Sequence, residues 1–484
     1  MKLETKLASL GLGTVLAFAN SGAEAAKAAP ASLQDMWKII QQQQKEIETL
    51  KAKAGENEAL KQEVKALKEE QGVAEAAADA SAPKQATLKK GKSETERKTD
   101  ILATEVEKLK SQLFIPDKRE YKSEYGFGPA ASQVYRVKSG LSIGGYGEAI
   151  YTNYVDNKGG LKDTADLYRA VLYAGYKFND WIILNNEFEF EHGTTGRGGS
   201  VSVEFSQLDF MLHKNANIRA GLMLMPMGFI NEIHEPTTFH GNYRPDVERF
   251  IIPTTWRSIG AGLFGEIVPG LEYRMYAVTG LDARNFTSGG IRSGRQNGGF
   301  ELAENWAYTG RLDYTPDFAP GMIMGTSVYL GDSGQDQLYN GQKADVFTQL
   351  YEGHIQWHYK GLEWRALGAF GDIGDAALVS AQNKRTIGGQ NYGWYTEAAY
   401  DVMPFVWKDT TQYLAPFFRY EQYNTQGAVP KGFKVDRTWD RWIYQAGLTY
   451  KPIPNVAIKA DDRTITSAAG GLPNEFNLGL GFIY

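Results

Sequence analysis

The sequence predicts an all-β fold, a 16-stranded antiparallel transmembrane β-barrel preceded by an α-helical coiled-coil stalk. Three observations predict it. Residues 1–120 contain three aromatic side chains and six glycines, whereas the rest of the chain contains 57 aromatic side chains and 47 glycines. The spacing of apolar residues changes from about 3.5 to 2 near residue 138. The joins between the predicted strands alternate between tight turns and long loops, as in an up-and-down barrel.

The composition excludes several classes of protein. The chain of 484 residues has no cysteine, which excludes disulfides, thiolate metal sites, a cysteine nucleophile and covalently attached c-type haem. With 52 basic and 57 acidic residues, the net charge of −5 gives no reason to expect a nucleic-acid partner. The longest apolar run, residues 7–19, is shorter than the roughly 20 residues of a membrane-spanning helix.

The N-terminal residues predict export. Lys2 and Lys6 precede the apolar run, and the small residues Ala23 and Ala25 flank Glu24 at a suitable cleavage position. This order of charged, apolar and small residues predicts a secretory signal peptide over residues 1–25, with cleavage after Ala28 as the second choice.

A helical stalk is predicted next, with a coiled-coil segment over residues 26–72. Its seam residues step by three and four: Ile40, Gln43, Ile47, Leu50, Ala54 and Asn57. Residues 73–100 are predicted to be a flexible linker, and residues 101–116 a short helix that ends at Pro116. A single solvated helix is the alternative to the coiled coil. A coiled coil would make the protein a homo-oligomer, because the chain offers no different partner helix.

The barrel is predicted over residues 138–484. Strands are predicted near residues 140–155, 165–178, 181–192, 200–213, 217–227, 256–267, 271–281, 305–314, 322–331, 346–359, 362–371, 392–401, 413–423, 438–450, 455–466 and 474–484. Sixteen is an even number, so both ends of the barrel fall on the side of the short turns, which is the periplasmic side of an outer-membrane barrel.

The two faces of the strands separate a membrane barrel from a soluble sandwich. In the third strand Leu184, Phe188 and Phe190 share one face, while Glu187 and Glu189 share the other. Sixteen strands enclose a lumen too wide for side chains to fill, so the polar face must point inward and the apolar face toward lipid. We therefore expect the outer membrane of a Gram-negative bacterium, with the stalk in the periplasm and contacting periplasmic or cell-wall components.

Three short stretches then carry a family resemblance: residues 219–228, residues 249–253 and residues 258–262. They resemble the phosphate-selective porin O and P family, in which a strand with a Gly-x-x-x-x-Pro-x-Gly pattern enters a long loop. The resemblance implies sixteen strands, a homotrimer, and a third long loop folded into the pore as a constriction. The longest predicted connection, residues 228–255, falls in that third position. The expected function is a porin, a water-filled channel for passive diffusion of small hydrophilic solutes or ions, with no catalysis, cofactor or metal.

The charged residues of this loop and of the inner face are the candidate functional residues. The constriction-loop candidates are Glu232, His234, Glu235, His240, Arg244, Asp246, Glu248 and Arg249. The pore-lining candidates are Arg169, Arg219, Arg274, Arg311, Arg365, Arg419, Arg441, Arg463, Glu187 and Glu189. Charges of both signs across a narrow passage would filter solutes by charge and size. The alternative is that these residues face solvent or pair to brace the fold.

Within the loop, Arg244 and Arg249 are predicted to attract anions, with the loop carboxylates opposing them across the passage. Arg292 and Arg295 of the fourth long loop are expected to lie outside the constriction. His234, Glu235 and His240 are a weak metal-site pattern, because their spacing is irregular and no regular element holds them. The loop has no lysine, so an anion preference is open and phosphate specificity has no support.

Two other functions are alternatives. The barrel could be the sheath of a complex that crosses the outer membrane with a partner cytochrome, since this chain cannot carry c-type haem itself. An outer-membrane barrel enzyme is the third alternative, and it would need a cluster such as Ser, His and Asp near the rim, which the sequence does not offer.

Overall fold

The computed structural model describes residues 121–156, 159–193, 196 and 198–484. The predicted signal peptide, coiled coil, linker and short helix all fall within residues 1–116, outside the described residues, and stay predictions. In the part of the chain that is described, no helix is long and apolar enough to cross a membrane.

Sixteen long strands alternate along the described residues. The first eight are β1 Gly140–Tyr154, β2 Thr164–Lys177, β3 Ile182–Glu191, β4 Val201–His213, β5 Ala216–Leu224, β6 Arg257–Val268, β7 Leu271–Thr279 and β8 Trp306–Tyr314. The second eight are β9 Met322–Asp332, β10 Phe347–Tyr359, β11 Leu362–Ile373, β12 Gln390–Tyr400, β13 Tyr413–Ala428, β14 Asp440–Ile453, β15 Val456–Ser467 and β16 Glu475–Ile483.

The strands close into a ring. Each strand pairs antiparallel with its neighbour in sequence, and β16 pairs with β1 from Tyr146 opposite Ile483 to Tyr154 opposite Glu475. Past the end of β16, Gly145 and Tyr484 exchange two backbone hydrogen bonds of 2.9 Å. The predicted 16-stranded antiparallel barrel is therefore confirmed, and the ring leaves none of its long strands with a free edge.

Most predicted strand ends agree with the structure to within two residues, and the largest differences have local causes. β13 was predicted to end at residue 423, but it runs to Ala428 because a bulge lets Ala428 pair with Gln390 of β12. β5 was predicted to reach residue 227, but it ends at Leu224, two residues before Pro226, whose missing N–H cannot continue a ladder.

The two faces of the barrel differ as the alternation predicts. Outward side chains are apolar and exposed, and Leu448, Leu478 and Leu480 are 45–49% accessible. Inward side chains are polar, yet Arg419 and Glu421 are completely buried. Other parts of the same chain therefore enter the lumen and cover these inward side chains, as where Arg419 donates to the carbonyl of His240.

Short elements lie in the connections. The helices are α1 Gln133–Arg136, α2 Ala376–Asn383 and α3 Met403–Val406, with a π-turn at Val247–Ile251 and 3₁₀ turns at Ala283–Asn285, Arg292–Gly294 and Arg437–Trp439. A two-residue hairpin pairs Leu338–Tyr339 with Gln342–Lys343, and Gly470–Gly471 pairs with the end of β15.

Two segments enter the lumen. We name residues 225–256, between β5 and β6, the inner loop, and residues 121–139, before β1, the connector. The inner loop packs Met225, Ile252 and Trp256 into one apolar cluster inside the barrel. The connector packs Phe127 and Ala130 into a second cluster against the inner wall of β1, β2 and β4. These two segments position everything that follows.

Candidate functional site

The inner loop is closed at its neck by one asparagine. The Asn231 amide donates to the carbonyls of Met225 at 2.7 Å and Trp256 at 3.0 Å, and its side-chain oxygen accepts from the Trp256 N–H at 2.7 Å. These bonds join the residue that leaves β5 to the residue that enters β6. The loop between them is thus free to extend across the lumen while its two ends stay together.

Across the lumen, five consecutive carbonyls of the inner loop, residues 237–241, each accept a hydrogen bond from a basic side chain of the opposite wall. Lys451 donates to residue 237 at 2.9 Å and Arg365 to residue 238 at 3.1 Å. Lys459 donates to residues 239 and 241 at 2.8 and 2.9 Å, and Arg419 to residue 240 at 2.6 Å. Charge-assisted bonds of this kind are stronger than neutral ones, so the wall of β11 and β13–β15 holds the loop firmly.

The acidic residues of the inner loop are also paired, either with the wall or with backbone N–H groups. Glu232 lies 3.4 Å from Arg274, and Asp246 lies 3.3 Å from Arg463. Glu248 accepts from Tyr395 at 2.6 Å and from the backbone of residue 230 at 2.7 Å. Glu235 binds the connector, as described below. All four are buried, so they do not oppose the arginines across a passage as the sequence analysis expected.

The two histidines of the inner loop contact different walls. His234 lies 3.2 Å from Glu187 of β3, while His240 lies 3.2 Å from Glu363 of β11 and 3.1 Å from Thr449 of β14. Burial, and then the nearby Arg244, lower the pKa of His234 to about 3, so this ring is neutral at physiological pH. Within the described residues, no group of three His, Asp or Glu side chains is placed to hold a metal ion.

Arg244 and Arg249 are the two candidates of the inner loop that are not buried, and both line a small cavity in the lumen. The cavity has a volume of about 60 Å³. Its charged lining consists of Arg169, Arg244, Arg249, Arg292, Glu148 and Glu191. Tyr168 reaches this lining because it is the extra residue of a β-bulge, between Arg169 opposite Glu148 and Leu167 opposite Ala149.

The structure corrects the expected position of the fourth long loop. Arg292 lines the same cavity as Arg244 and Arg249, and Arg295 joins Arg292 in binding Thr254 at the end of the inner loop. The expectation that this arginine pair lies outside the constriction is wrong, because the two loops, although separate in the sequence, fold over one another at Thr254. Both loops therefore contribute to one basic group, which we name the arginine cluster: Arg244, Arg249, Arg292 and Arg295.

The arginine cluster lacks acidic partners. None of its four members lies within 4 Å of a carboxylate among the described residues, and the Nε atom of Arg244 is buried without a hydrogen-bond partner. Burial, followed by repulsion from Arg295, Arg249 and Arg244, lowers the pKa of Arg292 to about 9. Burial likewise lowers the pKa of Arg295 to about 10. The lining of the cavity thus carries four arginines and two glutamates, and within the described part of the chain none of the arginines of the cluster forms a direct ion pair.

The pore-lining candidates of the strands mostly face the lumen and are paired there. Arg169 lies between Glu148 at 2.7 Å and Glu189 at 3.2 Å, and Glu187 contacts His234. The remaining acidic partners are Asp209 for Arg219, Glu232 and Asp313 for Arg274 and Arg311, Glu397 for Arg365 and Arg419, and Glu475 for Arg463. Arg441 instead lies over the Trp439 ring, 4.7 Å from its centroid.

A histidine network on the inner wall bears on the enzyme alternative. His354 lies 2.7 Å from Glu352 through Nδ1 and 2.8 Å from Asp313 through Nε2. The Ser327 hydroxyl donates to Glu352 and not to the imidazole. A nucleophilic hydroxyl would need the imidazole as its base, so this arrangement braces the wall and does not activate the serine.

Sequence reasoning missed three sets of residues that shape the lumen: Arg292 and Arg295, Lys451, and the connector. The connector carried a weak signal, since the run from Phe127 to Ala131 is apolar and small, unlike a solvated linker. Lys451 lies just beyond the predicted strand end at residue 450, whereas β14 continues to Ile453.

Comparison with known proteins gives one relative in sequence. No family model matches the chain. An uncharacterized protein of Aquifex aeolicus (strain VF5) is 36% identical over 369 residues, which cover 73% of this chain and 82% of that protein.

Solved structures with a similar fold include three outer-membrane proteins, each at a TM-score below 0.5. A loop-deletion mutant of OmpT, an outer membrane protein of Vibrio cholerae, has 12% identity, a TM-score of 0.48, and coverage of 72% of this chain and 100% of that one. Salmonella typhi OmpF, in complex with daunomycin, has 13% identity, a TM-score of 0.48, and coverage of 72% of this chain and 98% of that one. An anion-selective porin from Comamonas acidovorans has 11% identity, a TM-score of 0.45, and coverage of 72% of this chain and 100% of that one.

Proposed function

The chain belongs to one family with the Aquifex aeolicus protein, and we propose that it is an outer-membrane porin, a narrow channel for passive diffusion of small hydrophilic solutes. In this proposal the inner loop is the constriction, and the arginine cluster gives the passage a preference for anions. The periplasm is on the side of the short turns, where β1 begins and β16 ends. Specificity for phosphate is not part of the proposal.

The outward face of the barrel supports a position in the membrane. Leucine and aromatic side chains cover it on every side, as with Phe370, Trp394, Tyr444 and Leu480, which are 41–46% accessible. Soluble proteins rarely expose a contiguous apolar surface larger than a few hundred Å². A closed antiparallel ring also satisfies its backbone hydrogen bonds internally, which a lipid environment requires.

One observation carries the anion preference: basic side chains of the barrel wall form ion pairs or bind the inner loop, whereas the arginines of the cluster form no ion pair with any described residue. Wall arginines and lysines are neutralised by carboxylates or bound to the carbonyls of residues 237–241. The arginine cluster forms no direct ion pair among the described residues, and its hydrogen bonds include those from Arg244 to the carbonyl of His234 and from Arg292 to the carbonyl of Thr254. An anion entering the cavity would relieve the repulsion among these guanidinium groups, whereas a cation would add to it. Arginine is suited to this role because it stays charged over the physiological range.

The occupied lumen makes the sheath alternative the weaker proposal. A partner cytochrome inside the barrel would need the space that the inner loop and the connector take, and both segments are held by buried contacts. Their removal would expose Trp256 and Phe127 to water. Haem absorbance in the purified protein, together with no solute flux, would favour the sheath.

The experiment that tests the proposed channel is osmotic swelling of liposomes that contain the purified protein. Sorbitol should enter and cause swelling, whereas a tetrasaccharide such as stachyose should be excluded because the inner loop and connector narrow the lumen. Heat-denatured protein in the same liposomes is the control. Absence of swelling in sorbitol would contradict the channel, and rapid entry of the tetrasaccharide would contradict the constriction.

We also propose that the barrel is a homotrimer, assembled through the outer surface of β2–β4. On that surface the Ser206 hydroxyl donates to Asn186 at 2.7 Å, and Asn186 donates to the carbonyl of Ala174 at 2.8 Å. A polar pair in the middle of a lipid-facing strand is better covered by a second copy than by acyl chains. A single cysteine at Ser206 should give covalent dimers with a bifunctional thiol reagent and covalent trimers with a trifunctional one, because each protomer offers one thiol. A cysteine at Leu448, on the opposite wall, is the control and should stay monomeric.

A further inference from the structure

The connector enters the short-turn end of the lumen and returns to start β1. Lys122 is exposed at the mouth, whereas Phe127, Ala131 and Val134 are at most 3% accessible. Its turn from Glu124 to Phe127 is closed by the hydroxyl of Ser132, which accepts from the Glu124 N–H at 2.9 Å. The connector is thus folded inside the barrel as a compact element.

The wall around the connector matches its apolar side chains. Tyr146 of β1, Val171 and Tyr173 of β2, and Phe205 of β4 point into the lumen and are buried against it. A second apolar part of the inner wall, which includes Val278, Leu350 and Ile443, packs in one cluster with the inner loop. Apolar side chains facing the lumen are costly unless they are covered, so the part of the wall around the connector fits a resident segment of the chain.

Polar contacts also fix the connector to the wall. The Tyr135 hydroxyl donates to Asp209 of β4 at 2.6 Å, and the Asn185 amide of β3 donates to the carbonyl of Ala131 at 3.1 Å. The Arg219 guanidinium of β5 donates to the carbonyl of Tyr125 at 3.1 Å. These bonds come from three neighbouring strands, so they orient the connector as well as retaining it.

The connector also contacts the inner loop, through Glu235. One oxygen of the Glu235 carboxyl accepts from the N–H groups of Ala130 at 2.9 Å and Ala131 at 3.1 Å, and the second accepts from Ala130 at 3.1 Å. This side chain is fully buried. It makes the only hydrogen bonds between the inner loop and the connector among the described residues.

Two glycines allow this close approach. A Cβ atom at residue 128 would collide with the Glu235 carboxyl, and a Cβ at residue 126 would collide with Glu232 of the inner loop and with Arg274. Gly126 also has φ +84°, a conformation that favours glycine. The connector backbone is therefore shaped to receive two acidic side chains of the inner loop.

We propose that the connector is a second, built-in part of the constriction, which lines the short-turn half of the passage and holds the inner loop through Glu235. The inference rests on the proposed channel and extends it. Glu235 is a positioning residue: it fixes the inner loop and the connector against each other and contacts no solute.

The chain has no cysteine, so a single introduced cysteine reports one position. Ser132 and Ser139 form a matched pair, since both belong to the connector and serine differs from cysteine by one atom. Ser132 is completely buried and Ser139 is exposed. We expect a charged methanethiosulfonate reagent to modify S132C at least about a hundredfold more slowly than S139C in outer-membrane vesicles, because buried thiols are shielded. Equal rates would overturn the proposal, and this outcome requires no channel activity.

Glu235→Ala then tests the contact with the inner loop. It should raise the modification rate of S132C at least about tenfold and increase single-channel conductance, because the inner loop and the connector lose the hydrogen bonds that join them. Glu235→Gln keeps an acceptor oxygen, so it should restore both values toward those of the unmutated chain. Slow modification and unchanged conductance in a folded Glu235→Ala variant would overturn the role of Glu235. If the unmutated protein conducts nothing, the proposed channel fails, while the labelling ratio still decides where the connector lies.

Discussion

Neutralising the two arginines of the inner loop, Arg244→Gln with Arg249→Gln, should reduce the preference for anions. A cavity of about 60 Å³ brings an ion close to every group in its lining. At roughly 5 Å and an effective dielectric constant of about 20, one unit charge changes the energy of an ion by about 3 kcal/mol. Since Arg244 is half-buried and Arg249 is exposed, water and salt reduce this effect, and about 1 kcal/mol for each is a cautious value.

The expected change in selectivity follows from that value. Two lost charges at about 1 kcal/mol each should lower the chloride-to-potassium permeability ratio at least tenfold, because about 1.4 kcal/mol corresponds to a factor of ten. The assay is the reversal potential of the purified double variant in a planar bilayer with a potassium chloride gradient. The difference from the unmutated protein should shrink at 1 M salt, where the Debye length is about 3 Å.

The matched control uses two arginines of other long loops. Arg385 and Arg437 are exposed, and neither lines the cavity of the arginine cluster. Arg292 and Arg295 are unsuitable as a control, because Arg292 lines the same cavity and Arg295 binds Thr254 of its lining. Neutralising Arg385 and Arg437 together should leave the permeability ratio within about twofold, since exposed charges beyond a Debye length are screened. Equal shifts from both pairs would refute the assignment of selectivity to the arginine cluster.

Three further outcomes are expected. Deleting residues 26–115 should leave a barrel that inserts and keeps its β-sheet circular dichroism but yields less trimer, and failure to insert would contradict the separation of stalk and barrel. Arg419→Ala should loosen the inner loop and raise single-channel conductance, because it removes a bond to the loop backbone and leaves Glu397 with Arg365 as its remaining ion-pair partner; unchanged conductance would argue against this wall contact. Raising the pH through about 9 should lower the anion preference as Arg292 loses its proton, and Arg292→Gln should abolish that step.

The strands could be predicted because a barrel strand is specified by local alternation. Leu478 and Leu480 point outward and Asn477 points into the lumen, whatever lies elsewhere in the chain. The same reasoning identified Arg365 and Arg419 as inward residues, since their strand positions decide the face.

The partners of those inward residues could not be predicted. Arg419 bonds to the carbonyl of His240, 179 positions away along the chain, and Lys459 bonds to the carbonyl of Phe239. Such contacts depend on where the inner loop crosses the lumen, which neither periodicity nor composition encodes. The arginines counted as lining an open pore are for this reason largely engaged in holding the loop.

Only two of the four arginines of the cluster could be predicted, for a similar reason. Arg244 and Arg249 are close in sequence within one long loop, so they stood out as a pair. Arg292 and Arg295 belong to the next long loop, and they join the cluster through Thr254. Loops that fold over one another leave no periodic signal, because their contacts are set by side-chain packing at the barrel rim.

The measurement that tests the central claim most directly is the reversal potential of the full-length, unmutated protein in a planar bilayer with a tenfold gradient of potassium chloride. The claim is a narrow aqueous passage in which the arginine cluster, which forms no direct ion pair with the residues that the structure describes, favours anions. It predicts discrete conductance steps and a reversal potential with the sign of chloride selectivity, which moves toward zero as the salt on both sides is raised. A potential with the sign of potassium selectivity, or a bilayer that stays silent, would contradict it.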